Sequence, residues 1–92
     1  MTEKRIHITV RGLVQGVGFR MFIRREAIAR HLSGWTRNLP DGTVEIEAQG
    51  SAGLVDELVR QTRIGPSRSQ VSSMAVKEIA TDSSDMEFRI LA

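Results

Sequence analysis

The run Ile6-His7-Ile8-Thr9-Val10-Arg11-Gly12-Leu13-Val14-Gln15-Gly16-Val17-Gly18-Phe19-Arg20 changes period part-way along. Ile6, Ile8 and Val10 alternate with His7, Thr9 and Arg11, the period of a strand with one face buried. Gly12, Gly16 and Gly18 then interrupt the pattern. From about Phe19 to Leu32 the spacing is helical, with Phe22, Ala29 and Leu32 on one side, Ile28 beside them and Gly34 as the stop. A strand therefore passes through a glycine-rich turn into a helix, and the rest of the chain says what sheet that unit belongs to.

Trp35 to Leu39 reads as a short strand, with Trp35 in the core beside the helix end and Met21 and Phe22 packed under the glycine loop. Pro40-Asp41-Gly42 is turn chemistry, since proline presets φ and glycine tolerates a positive one. Val44, Ile46 and Ala48 alternate with Glu45, Glu47 and Gln49, a second one-sided strand. Gly50-Ser51 opens a second helix through about Arg63, with Leu54, Val55, Leu58, Val59 and Thr62 as its apolar face. Asp56 and Glu57 early and Arg60 and Arg63 late suit the helix dipole, and Gly65-Pro66 ends it. Val71 to Ile79 reads as a strand with weaker alternation, Thr81 to Asp85 as a polar turn, and Met86, Phe88 and Ile90 as a last strand.

The order is strand, helix, strand, strand, helix, strand, plus one appended strand. Such a chain predicts an α+β two-layer sandwich of the ferredoxin-like kind, with both helices on one face of a mostly antiparallel sheet. The opposite face, carrying His7, Thr9, Glu45, Glu47 and Gln49, is expected to be wet. Ninety-two residues suffice for a single domain over 1–92 and are too few for a two-halved dinucleotide fold or an eightfold α/β barrel.

Apolar residues at 40% and charged residues at 26%, with a net charge of only +2, exclude a disordered chain. No apolar run approaches a membrane span, and the polar start Met-Thr-Glu-Lys-Arg has no signal core. Cysteine is absent, which removes disulfides, thiolate catalysis and cysteine-ligated metals, and suits a reducing cytoplasm; a monomer is the default expectation. Lys4 and Lys77 are the only lysines among thirteen basic residues. Arginine binds planar oxyanions bidentately, although the base composition of a genome produces the same bias. Acidic residues interrupt the basic ones throughout, so no stripe for nucleic acid stands out. The two central strands also lack the aromatics on which RNA-binding domains of this topology stack bases.

The chemistry concentrates between Gly12 and Arg20. Glycines let a backbone approach a ligand closely, and amides of such a loop followed by a helix N-terminus make an anion cradle. A tight strand-to-helix turn needs glycine as well. Arg20 adds a second pointer: a cation in the first helical turn opposes the dipole by about 0.3–1 kcal/mol, unless an anion lies between it and the amides. Its alternatives are an exposed arginine or a pair with Glu26. The loop is not a Walker loop, because Phe19-Arg20 follows Gly18, and not a dinucleotide fingerprint, because Met21 stands at the third glycine position. Asn38 precedes the Pro-Asp-Gly turn, where it either caps the turn or uses its amide to hold a water and a substrate oxygen together. His7 and His31 lie on separate elements without a carboxylate at metal spacing, so no metal site is expected. Ser67, Ser69, Ser72 and Ser73 have no base nearby and read as loop and strand residues.

These residues carry a resemblance. Val10 to Arg20 resembles the first signature of the acylphosphatase family, and Gly34-Trp35-Thr36-Arg37-Asn38, Gly42-Thr43-Val44 and Gly50 resemble its second. The likeness continues through Gly65-Pro66-Ser67 to the end of the chain. It implies the ferredoxin-like fold and hydrolysis of acyl phosphates, small molecules in which a carboxyl group and phosphate form a mixed anhydride, without metal or cofactor. It also implies that Arg20 and the backbone of Gln15, Gly16, Val17, Gly18, Phe19 and Arg20 bind the phosphoryl group, that Asn38 orients the attacking water, and that inorganic phosphate is product and inhibitor. Thr36 departs from the small apolar residue usual there, and Ile90-Leu91-Ala92 lacks the aromatic end of some members. Similar domains also head larger carbamoyl-transfer proteins, which makes a non-catalytic phosphate- or carbamoyl-phosphate-binding module the rival reading. A chain running from Met1 to just past the last strand favours a free-standing enzyme. No acyl-group pocket is legible in the sequence.

Overall fold

The computed structural model describes residues 2–92. Its elements are β1 (Glu3–Leu13), α1 (Phe19–Ala29), β2 (Ser33–Asn38), β3 (Val44–Ser51), α2 (Ala52–Ile64), β4 (Gln70–Ile79) and β5 (Phe88–Ile90). The sheet runs β4-β1-β3-β2-β5; every neighbouring pair is antiparallel except β2 with β5. That is the ferredoxin-like order with one short parallel strand added at the β2 edge.

The centre of the sheet is set by two alternating strands. Ile6, Ile8 and Val10 stand opposite Ala48, Ile46 and Val44, all buried on one face. A slip of one residue would turn both sets into water, which pins the register. Phe19, Ile23 and Ala27 of α1 and Val55 and Leu58 of α2 close over that face. On the other face Glu45 bonds His7 and Arg37 at 2.7 Å each. Burial raises the Glu45 carboxyl, but these two hydrogen bonds outweigh it and hold the group below its ordinary value.

That second face is wet over most of its length and covered at one end. The segment between β4 and β5 has to pass from one sheet edge to the other. It crosses beside Arg5 and Gln49, both buried. The Arg5 guanidinium donates to Glu47 at 2.9 Å and to Asp85 at 3.0 Å. The Gln49 amide donates to the Asp82 carbonyl and accepts from the Asp82 N–H. A buried cation is tolerable when opposed in this way.

Several local expectations are corrected. The pattern carries α1 to Leu32, but the helix ends at Ala29 and His31 turns the chain with φ 57°. The buried stripe is Phe19, Ile23 and Ala27, with Phe22 partly covered, while Ile28, Ala29 and Met21 are exposed. This helix has more apolar residues than one face can bury, so periodicity selects between two stripes only weakly. Trp35 lies half-buried on the polar face with the Arg37 guanidinium 5.3 Å above its ring. Its neighbours Gly34 and Thr36 point inward, and the Thr36 hydroxyl donates to the Glu45 carbonyl. Met86 lies outside β5.

Gly34 is therefore a strand residue and not a helix stop. At its φ of 139° a Cβ would collide with the Glu47 carbonyl oxygen. Gly34→Ala is expected to destabilise the fold by about 1–3 kcal/mol. An unchanged denaturant midpoint would show that the strands can separate to admit a methyl group.

Candidate active site

The turn between β1 and α1 is built on two left-handed glycines, Gly16 at φ 73° and Gly18 at φ 76°. A Cβ at either would meet nothing within 4 Å, so backbone conformation and not crowding requires glycine there. The turn faces open space at Gly16 and Gly18, while the buried Val14 and Phe19 anchor it from below. Gly18 occupies the N-cap of α1, which has no side-chain cap and no acidic residue in its first turn. Those first amides point outward with the positive end of the helix dipole behind them.

Gln15 fixes this turn to the rest of the site. Its side-chain amide donates to the carbonyls of Leu39 and Thr43, each at 2.9 Å. The glycine turn and the β2–β3 connection are thereby held together, and Asn38 at the end of β2 comes alongside the start of α1. The result is a cavity of about 210 Å³ bordered by Gly16, Gly18, Arg20, Met21, Asn38 and Ile90.

Two side chains in it lack partners. Arg20 takes part in no ion pair among the described residues. Glu26, its alternative partner, is held by Arg30 at 2.9 Å. The Asn38 Oδ1 atom is buried and accepts no hydrogen bond. An unsatisfied buried carbonyl costs about 1–3 kcal/mol, so such an atom calls for a water or ligand group. Nor does Asn38 cap the following turn. Asp41 does so, accepting from the Thr43 N–H at 3.0 Å and hydroxyl at 2.6 Å, and these bonds lower the Asp41 carboxyl below its ordinary value.

Thus the structure brings Arg20, Asn38, Gly16, Gly18 and Phe19 to one cavity, while Gln15 and Val17 of the same turn do not line it. A family model described as acylphosphatase matches residues 6–90. The chain belongs to the acylphosphatase family. The acylphosphatase of Chlorobaculum tepidum is 76% identical over 91 residues, spanning 99% of both chains. The crystal structure of acylphosphatase from Bacillus subtilis is similar at a TM-score of 0.93 and 37% identity, covering 97% of this chain and 99% of that one. A crystal structure of full-length HypF in its phosphate- and nucleotide-bound form is also similar, at a TM-score of 0.87 and 26% identity. The match covers 99% of this chain and 12% of HypF.

For an acylphosphatase the remaining candidates lie elsewhere. His7 pairs with Glu45 on the polar sheet face, and Ser69 and Ser72 donate to the backbone carbonyls of Pro66 and Arg11. Among the described residues no group of three His, Asp or Glu side chains could hold a metal, and no helix is long and apolar enough to cross a membrane. What sequence reasoning missed is the side chain of Gln15. Its partners are backbone carbonyls 24 and 28 residues away, for which the sequence carries no signal.

Proposed function

We propose that this acylphosphatase hydrolyses the carboxyl–phosphate bond of acyl phosphates with Arg20 and the amides of residues 15–20 on the phosphoryl group and Asn38 on the attacking water. The observation that supports it most is that Asn38, whose buried Oδ1 has no hydrogen-bond partner, borders the same cavity as the unpaired Arg20. Phosphoryl transfer asks for positioned donors on the three equatorial oxygens more than for covalent chemistry. The Arg20 guanidinium offers a bidentate pair, and the outward amides of the turn serve the remaining oxygen. Asn38 Oδ1 accepts one water hydrogen and aims the water oxygen at phosphorus, opposite the leaving group.

The water oxygen bonds to phosphorus as the anhydride P–O bond breaks, and its electron pair leaves with the carboxylate. A carboxylate is stable without a proton, so no general acid is needed. The water's proton passes to a phosphoryl oxygen, and the products are carboxylate and inorganic phosphate, which competes for the same cradle. The charge stabilisation comes from arginine and amides, so the reading calls for no metal or cofactor. We read the chain as one domain over 1–92 acting as a cytoplasmic monomer without nucleic-acid or membrane partners, in keeping with a cysteine-free composition of mixed charge.

The likeness to HypF, most of whose length lies outside the match, favours a second reading as a phosphate- or carbamoyl-phosphate-binding module. Hydrolysis of benzoyl phosphate, followed by ultraviolet absorbance with a chelator present, separates the two. Rapid turnover is expected. A folded chain that binds phosphate without turnover would establish the second reading instead.

A further inference from the structure

Three large apolar side chains, Met21 (63% exposed), Ile28 (46%) and Met86 (84%), border a single feature. It is an open groove of about 730 Å³ between α1 and β5, with the buried Leu32 and Phe88 at its base. The groove adjoins the phosphoryl cavity, because Met21 and Ile90 line both. Met21 follows Arg20 in the first turn of α1 and so stands at the mouth of the cradle. Ile28 lies seven residues on, on the same helix face and roughly 10 Å further along the axis. Across from them, Ile90 is at the cradle end, and Met86 lines the groove without reaching the cavity.

The groove therefore leads away from the phosphoryl site along a path lined by these six apolar residues, with Arg24, His31, Glu87 and Arg89 as its polar lining. A phosphoryl group in the cradle carries an acyl group that extends out of it, and this path offers apolar side chains and is continuous with the cavity through Met21 and Ile90. Clustered exposed apolar side chains with a polar rim mark a binding surface, and methionines adapt to ligands of differing shape. We propose that the groove holds the acyl portion of the substrate, and that the chain favours acyl phosphates with an extended apolar acyl group over acetyl phosphate. This rests on the phosphoryl site being the one formed by Arg20 and Asn38.

The test compares kcat/KM for octanoyl phosphate and acetyl phosphate in the native chain and in the double variant Ile28→Gln/Met86→Gln. Both positions are exposed, neither lines the phosphoryl cavity, and neither change alters the charge. The native chain is expected to prefer octanoyl phosphate by about tenfold or more, the worth of even one methylene in an apolar site. The double variant loses most of that preference and keeps its acetyl phosphate activity. Calorimetric binding of octylphosphonate against methylphosphonate gives a second readout that does not need turnover. If neither acyl phosphate is hydrolysed but octylphosphonate binds more tightly, the catalytic reading fails and the groove stands. Equal kcat/KM for the two substrates, equal affinity for the two phosphonates, or a double variant that keeps the preference overturns the groove. So does a dimer that the double variant dissociates without any discrimination between phosphonates, which would make a second copy the occupant.

Discussion

Arg20→Ala is expected to lower kcat/KM for benzoyl phosphate by about 10²–10³-fold or more, the usual cost of losing a main donor to transition-state charge. Stability should not fall with it. Arg20 has no ion-pair partner among the described residues and sits at the positive end of α1. Removing it from the first turn relieves an unfavourable interaction of about 0.3–1 kcal/mol. The paired result, activity lost and denaturation midpoint unchanged or raised, separates a phosphoryl ligand from a structural arginine. Arg20→Lys keeps the charge without the planar pair of donors and should recover only part of the loss. Activity within about tenfold of native in Arg20→Ala would remove Arg20 from the mechanism.

Asn38→Ala is expected to lower kcat by about 10²-fold while KM changes little, because the proposed mechanism has the group act on the water and not on the bound phosphoryl oxygens. Its stability consequence also distinguishes the roles. The Oδ1 atom has no hydrogen bond to lose, and the neighbouring turn is already capped by Asp41. Truncation therefore removes an unsatisfied buried carbonyl and should leave the unfolding midpoint unchanged or raised. A variant with kcat intact and a lowered midpoint would return Asn38 to turn capping.

The two variants bear on different links of the same chain of causes. Arg20 occupies its position because the glycine turn starts α1 where it does. Asn38 reaches the same cavity because Gln15 fastens that turn to the carbonyls of Leu39 and Thr43. Preorganisation of this kind, donors already aimed before substrate arrives, is what electrostatic catalysis needs.

Much of this was legible in residue order. The alternation at Ile6–Val10 and Val44–Ala48 identifies the central strands because side-chain period in a strand is a local property, independent of partners. The glycines at 16 and 18 mark the turn for the same reason. The choice between Asn38 and Asp41 as turn cap was not legible, since both residues suit the role and only their orientations decide. Nor was the buried stripe of α1, where Phe22, Ile28 and Ala29 compete with Phe19, Ile23 and Ala27 and the sheet beneath selects the latter.

By itself, then, the amino-acid sequence determined the element order and the one-sided sheet, because propensity, period and turn chemistry act over a few neighbours; the assignment of the candidate site residues came from the family resemblance. Only the tertiary structure decided which cap the turn takes, that Gln15 joins the two halves of the site, that the β4–β5 segment buries Arg5, and that Met21, Ile28 and Met86 flank a groove beside the phosphoryl cavity. The cap joins residues only two apart, and which of two suitable side chains takes it is set by orientation; the other three depend on contacts between residues far apart in the chain, whose geometry exists only once the strands have paired and the helices have closed over the sheet.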